Sequence, residues 1–120
     1  ASDNAPKSHL PFSPAAQVGD LIFVSGQASV SGTGEIISGT FAEECRRSFE
    51  NLKAVLEASG SDLNHVVKTH NFVRDQECVA QFNDIYKEFF SAPYPARTTI
   101  VKCLGDRLKF EVDCIAVPKK

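Results

Sequence analysis

The chain alternates between two hydrophobic rhythms. Residues 20–27, DLIFVSGQ, form a short apolar run ended by polar and glycine positions, the pattern of a buried strand. Residues 29–37, SVSGTGEII, set two glycines between β-prone ends and predict a hairpin. From Thr40 the period lengthens. Phe41, Cys45, Phe49, Leu52, Val55 and Leu56 recur at three- and four-residue intervals and draw one apolar stripe along a helix. Thr40 and Glu43 stand at capping-box spacing, and Gly60 is a natural C-terminal stop. Residues 65–73, HVVKTHNFV, return to strand character. Asp75 is placed to cap a second helix, with a stripe of Val79, Phe82, Tyr86, Phe89 and Phe90, ended by Pro93 and Pro95. TTIVKCL (98–104), a turn at Gly105-Asp106 and LKFEVDCIAV (108–117) complete the order.

Two helices that are apolar on one side only pack most economically on one face of a mixed sheet, which gives an α+β fold. No repeat, low-complexity tract or linker interrupts residues 1–120, so the chain reads as one domain with a polar lead-in over residues 1–10. In the last strand, alternation puts Leu108, Phe110, Val112, Cys114 and Ala116 on one face, toward the helices. Lys109, Glu111, Asp113, Ile115 and Val117 face the other way. Either another subunit covers the apolar end of that second face, or Ile115 and Val117 are simply exposed.

Composition excludes more than it identifies. Thirteen basic and fifteen acidic residues leave a net charge of −2, without the basic surplus of nucleic-acid-binding proteins. No apolar run approaches the roughly 20 residues needed to cross a bilayer, and no secretory signal opens the chain. The absence of an initial methionine leaves room for a removed organellar presequence. Cys45, Cys78, Cys103 and Cys114 lack zinc or redox spacing and read as buried thiols in a reducing compartment, the cytoplasm. No histidine sits at helical spacing from a carboxylate, so neither a metal nor a cofactor is expected.

The candidate chemistry centres on Arg97, in PYPARTTIV. It is either a solvated strand-entry residue or a guanidinium held to grip a carboxylate or phosphate, and the flanking prolines stiffen its approach. Glu111 lies mid-strand. It is either an exposed charge or, if covered, a carboxyl that must be paired or have its pKa raised, as suits general acid–base work. Asn83, on the stripe of the second helix, reads as a buried hydrogen-bonder. Ser25 matches no nucleophile elbow, and SGTGE precedes a strand rather than a phosphate-cradling helix.

PFSPAAQVGDLIFVSGQ, TGEII, NLKAVLEASG, VVKTHNFVRD, FNDIYKEFF, YPARTT and FEVDCIAV occur in an order that resembles the Rid (YjgF-like) family of enamine/imine deaminases. The resemblance covers nearly the whole chain from about Pro11. It implies a chorismate mutase-like fold and a homotrimer whose sheets form a central barrel, with a small 2-imino or 2-keto acid in each cleft between subunits. It further implies that Arg97 binds the substrate carboxylate, that Glu111 activates or positions water, and that Ser25, Gly26 and Asn83 line the pocket. Two positions depart from the family pattern. Phe12 replaces a common tyrosine, and Thr99 replaces a common cysteine two residues beyond Arg97; both bear on substrate preference and rate. The implied activity is 2-iminobutanoate/2-iminopropanoate deamination, releasing a 2-keto acid and ammonia. Two alternatives are a non-catalytic keto-acid-binding regulatory module and a ribonuclease, the latter disfavoured by the acidic balance.

Overall fold

The helix signals of residues 40–60 are realised in full. In the computed structural model, which describes residues 10–119, helix α1 spans Phe41–Ala58. The Thr40 hydroxyl accepts from the Glu43 amide, and the Glu43 carboxylate accepts from the Thr40 amide, closing the capping box. At the other end Gly60 adopts φ +81°, and the amides of Gly60 and Ser61 donate to the carbonyls of Glu57 and Leu56. That Schellman closure is open to glycine because a Cβ opposes this backbone conformation.

Five strands form one sheet: β1 Ala15–Val18, β2 Leu21–Ala28, β3 Val66–Val73, β4 Ala96–Val101 and β5 Phe110–Ala116. Their spatial order is β1-β2-β5-β3-β4, with β3 and β4 parallel and the other pairs antiparallel. Helix α2, Val79–Phe89, joins the parallel pair, as a crossover must. Both helices cover one face, which confirms the expected α+β layering. The core lies between them and the central strand. Phe49 of α1 stacks on Phe89 at 5.0 Å and meets Phe110 of β5 at 5.3 Å and Tyr86 of α2 at 5.9 Å. Ile85, absent from the expected stripe of α2, is buried with it.

The remaining differences have local causes. β1 escapes the pattern because its four residues are short and mostly exposed. The hairpin of residues 29–37 reduces to a turn with one bridge, Val30 to Ile36. Asp75 caps no helix. Its carboxylate accepts from Arg74 Nε at 3.2 Å, and a 3₁₀ turn, Gln76–Cys78, leads into α2 instead. Of the four thiols only Cys45 and Cys114 are buried; Cys78 and Cys103 are half-buried. Burial pushes Cys114 up to about 12, which keeps it a protonated core residue.

Alternation along the last strand holds from Phe110 to Ala116 and fails just before it. Glu44 of α1 is fully buried and accepts from the Lys109 amide at 3.0 Å and the Lys109 ammonium at 3.1 Å. That pair turns Lys109 toward the helix layer, and Leu108 faces away from it, into a cavity beside Glu111. Phe72, His70 and Lys68 of β3 lie across from Glu111, Asp113 and Ile115 on the helix-free face. Phe23 opposes Ile115 there and is 42% exposed; Leu21 and Ile100 are also exposed on this face. The lead-in through residue 9 lies outside the described residues.

Candidate functional site

The residues expected at the site fall into two groups. The first surrounds Arg97. β4 runs parallel to β3 with Arg97 beside Thr69 and Thr99 beside Asn71, which points both β4 side chains toward the helix layer at the sheet edge. The Arg97 guanidinium lies over the rings of Phe82, at 5.0 Å, and Tyr86, at 4.9 Å. Its Nη2 donates to Asn83 Oδ1. Asn83 is thus a structural hydrogen-bonder that holds the arginine, half-buried rather than buried. Tyr86 is itself fixed by a 2.8 Å bond between its hydroxyl and that of Thr69. Burial pushes the Tyr86 phenol up, so it stays neutral beneath the cation.

The guanidinium is thus braced on one face and at one nitrogen. Among the described residues no carboxylate lies within ion-pair distance of it. Its remaining N–H donors open onto a depression shared with Lys87 and Tyr94. An immobilised cation with a free planar fork fits a carboxylate or phosphate well. The stacking rings carry no motif of their own, but Phe82 and Tyr86 sit at i and i+4 around Asn83, a spacing visible in the sequence.

The second group surrounds Glu111. Val24 pairs with Cys114 and Gln27 with Val112, so Ser25 and Gly26 together oppose the single residue Asp113. This is a β-bulge, a device that re-aims a strand next to a site. It brings the Gly26 backbone against Glu111; a Cβ on Gly26 would overlap Glu111 Oε2. The Ser25 hydroxyl donates to the Ser13 carbonyl at 2.6 Å and anchors the segment that carries Phe12. Phe12, Gly26 and Glu111 share a cavity of about 300 Å³. Burial first, and the negative charge of Asp113 second, raise the Glu111 carboxyl above its ordinary 4.5. Asp113 bonds His70 Nδ1 at 2.6 Å. No group of three or more potential metal ligands occurs among the described residues.

The chain does not bring the two groups together. Arg97 is registered with Thr69 and Glu111 with Phe72, on opposite sides of β3. Strand spacing and rise separate their Cα positions by roughly 14 Å, and their side chains leave opposite faces of the sheet.

Comparison with known proteins places this architecture in a family. The family model described as Endoribonuclease L-PSP matches residues 2–118. A protein of Dermatophagoides farinae named 2-iminobutanoate/2-iminopropanoate deaminase is 39% identical, over 94% of this chain and 90% of its own length. The crystal structure of the Escherichia coli YjgF gene product superposes with a TM-score of 0.88 at 35% identity, covering 99% of this chain and 97% of that one. The E. coli TdcF structure, with bound serine, also gives a TM-score of 0.88, at 32% identity, over 99% and 97% of the two chains. The chain belongs to the Endoribonuclease L-PSP family, the YjgF-like or Rid family whose motifs it carries.

Proposed function

We propose that the protein hydrolyses 2-imino acids to 2-keto acids and ammonia, in clefts that two copies of the chain build together. One observation carries this reading: a braced, unpaired guanidinium and a raised carboxyl occupy opposite faces of one chain. A small molecule touching both therefore needs Arg97 from one copy and Glu111 from the next. Joining two different surfaces is a heterologous contact, and three such contacts close into a ring. The exposed apolar residues Leu21, Phe23 and Ile100 suit burial inside it. A 39% identical relative is named a deaminase of this kind, and a structural relative holds serine, a small amino acid.

The chemistry follows from the groups. Arg97 binds the carboxylate through two parallel N–H bonds, while Asn83, Phe82 and Tyr86 hold the fork in place. Thr99, on the same strand face, borders that half. Glu111, beside Gly26 and Ser25, orients a water at C2 of the iminium. As the C–O bond forms, the C=N pair moves to nitrogen and Glu111 takes the water's proton. Glu111 then returns that proton to nitrogen. The C–N bond breaks as the O–H pair forms the carbonyl, and the hydroxyl proton passes to the freed Glu111 carboxylate and on to the departing ammonia, so ammonium and the keto acid leave. Free imines hydrolyse in water unaided, so a sparse site suffices.

Mixing two inactive variants tests both the chemistry and the shared cleft. Arg97→Ala and Glu111→Ala chains should each lose about 10²- to 10⁴-fold in rate alone. Reassembled together at random, they should regain about a quarter of wild-type activity, because some seams then pair an intact arginine with an intact glutamate. If both single variants stay active, the assigned chemistry fails. If the mixture stays dead, the shared cleft fails.

A further inference from the structure

The cavity beside Glu111 has more to it than the reaction requires. Its volume of about 300 Å³ far exceeds the space that the one attacking water needs. Its walls come from three separate segments. Leu10 and Phe12 rise from the stretch before β1, Val30 and Ile36 from the bridged turn, and Leu108 from the approach to β5. Leu108 faces the cavity because buried Glu44 holds Lys109 on the other side. Phe12 supplies a bare apolar ring. Among the described residues no cation lines the cavity, and Glu111 at its edge repels anions. A substrate carboxylate turns instead to Arg97 of the next copy at the seam, and the nitrogen must stay within reach of Glu111. The remaining substituent on C2 is the side chain. A methyl or ethyl group leaves most of that apolar space unfilled, whereas a branched or aromatic group removes much more apolar surface from water.

We infer that this cavity receives the substrate's side chain and selects 2-imino acids with branched aliphatic or aromatic side chains over those with methyl or ethyl groups. The inference rests on the imine-hydrolase reading and adds a substrate class to it. It sets this chain apart from a relative named for the three- and four-carbon imines.

The test generates imines from alanine, leucine and phenylalanine with an amino-acid oxidase while semicarbazide competes for them. Hydrolysis then reads as a fall in semicarbazone formation. The leucine and phenylalanine imines should show kcat/KM about tenfold or more above the alanine imine, the scale on which apolar pockets discriminate. Val30→Trp and Ile36→Trp, which fill the cavity from two sides, should each lower that ratio about tenfold; two variants guard against one failing to fold. A ratio of one or less in the wild type overturns the inference while leaving the hydrolase reading intact, and so does a ratio that neither variant moves. Should no imine be hydrolysed, the hydrolase reading falls, and calorimetry of the intact protein still decides the preference. Tighter binding of 4-methyl-2-oxopentanoate than of pyruvate supports it; equal or weaker binding overturns it.

Discussion

Gly26 shows how one absent side chain can set the position of the carboxylate proposed to react. Its φ lies outside the left-handed region, so the constraint is space alone: a Cβ would displace the Glu111 carboxylate. The displaced atoms are the free end of a flexible side chain, and the backbone can stay put. Gly26→Ala should keep its melting temperature within a few degrees and lose about a hundredfold in kcat, the scale set by misplacing a reactive group. A variant with wild-type kcat would show that Glu111 needs no such clearance. The same carboxyl predicts the pH profile. In the proposed reaction Glu111 must be ionised to accept a proton from water, and both burial and Asp113 hold its pKa above 4.5. Activity should therefore fall as pH drops through a value above that figure. Asp113→Asn removes one cause of the rise and should move this acidic limb of kcat/KM to lower pH. An unmoved limb would assign it to another group.

At the scale of elements, Glu44 fastens the start of α1 to the entry of β5. Its carboxylate accepts from the Gly39 amide at 3.2 Å and from both donors of Lys109. Removing one partner of such a buried set strands the others. Glu44→Ala should cost about 3 kcal/mol in urea unfolding, since two backbone amides lose their acceptor. The sequence conceals this because Glu44 lies next to the capping Glu43 and reads as one more acidic residue in the first turn. The strong periodicities were legible: α1 with both ends, the stripe of α2, and the inward face of β5 from Phe110. The weak elements were hidden, β1 by its brevity and the 3₁₀ turn after Asp75 by a capping signal that its carboxylate spends on Arg74. Arg97, Glu111 and Gly26 could be picked out singly. That they divide between two faces depends on β4 pairing in parallel with β3, a long-range choice no local window contains.

For the whole molecule, the helix-free face decides whether a cleft exists at all. Phe23 is 42% exposed on the lone chain and opposes Ile115 in its centre. Phe23→Asp should place a charge that cannot be solvated within the proposed ring, leaving a folded monomer by sedimentation and little activity. A fully active monomer would mean that one chain suffices.

The placement of Arg97 and Glu111 on opposite faces also has a genetic reading. In the proposed ring, a subunit that lacks both groups would spoil the seam on each side of itself. A cell making equal amounts of sound and doubly defective chains would keep about a quarter of its working clefts, where self-contained active sites would leave half. Such an allele would behave as partly dominant, harming the carrier through the company its product keeps.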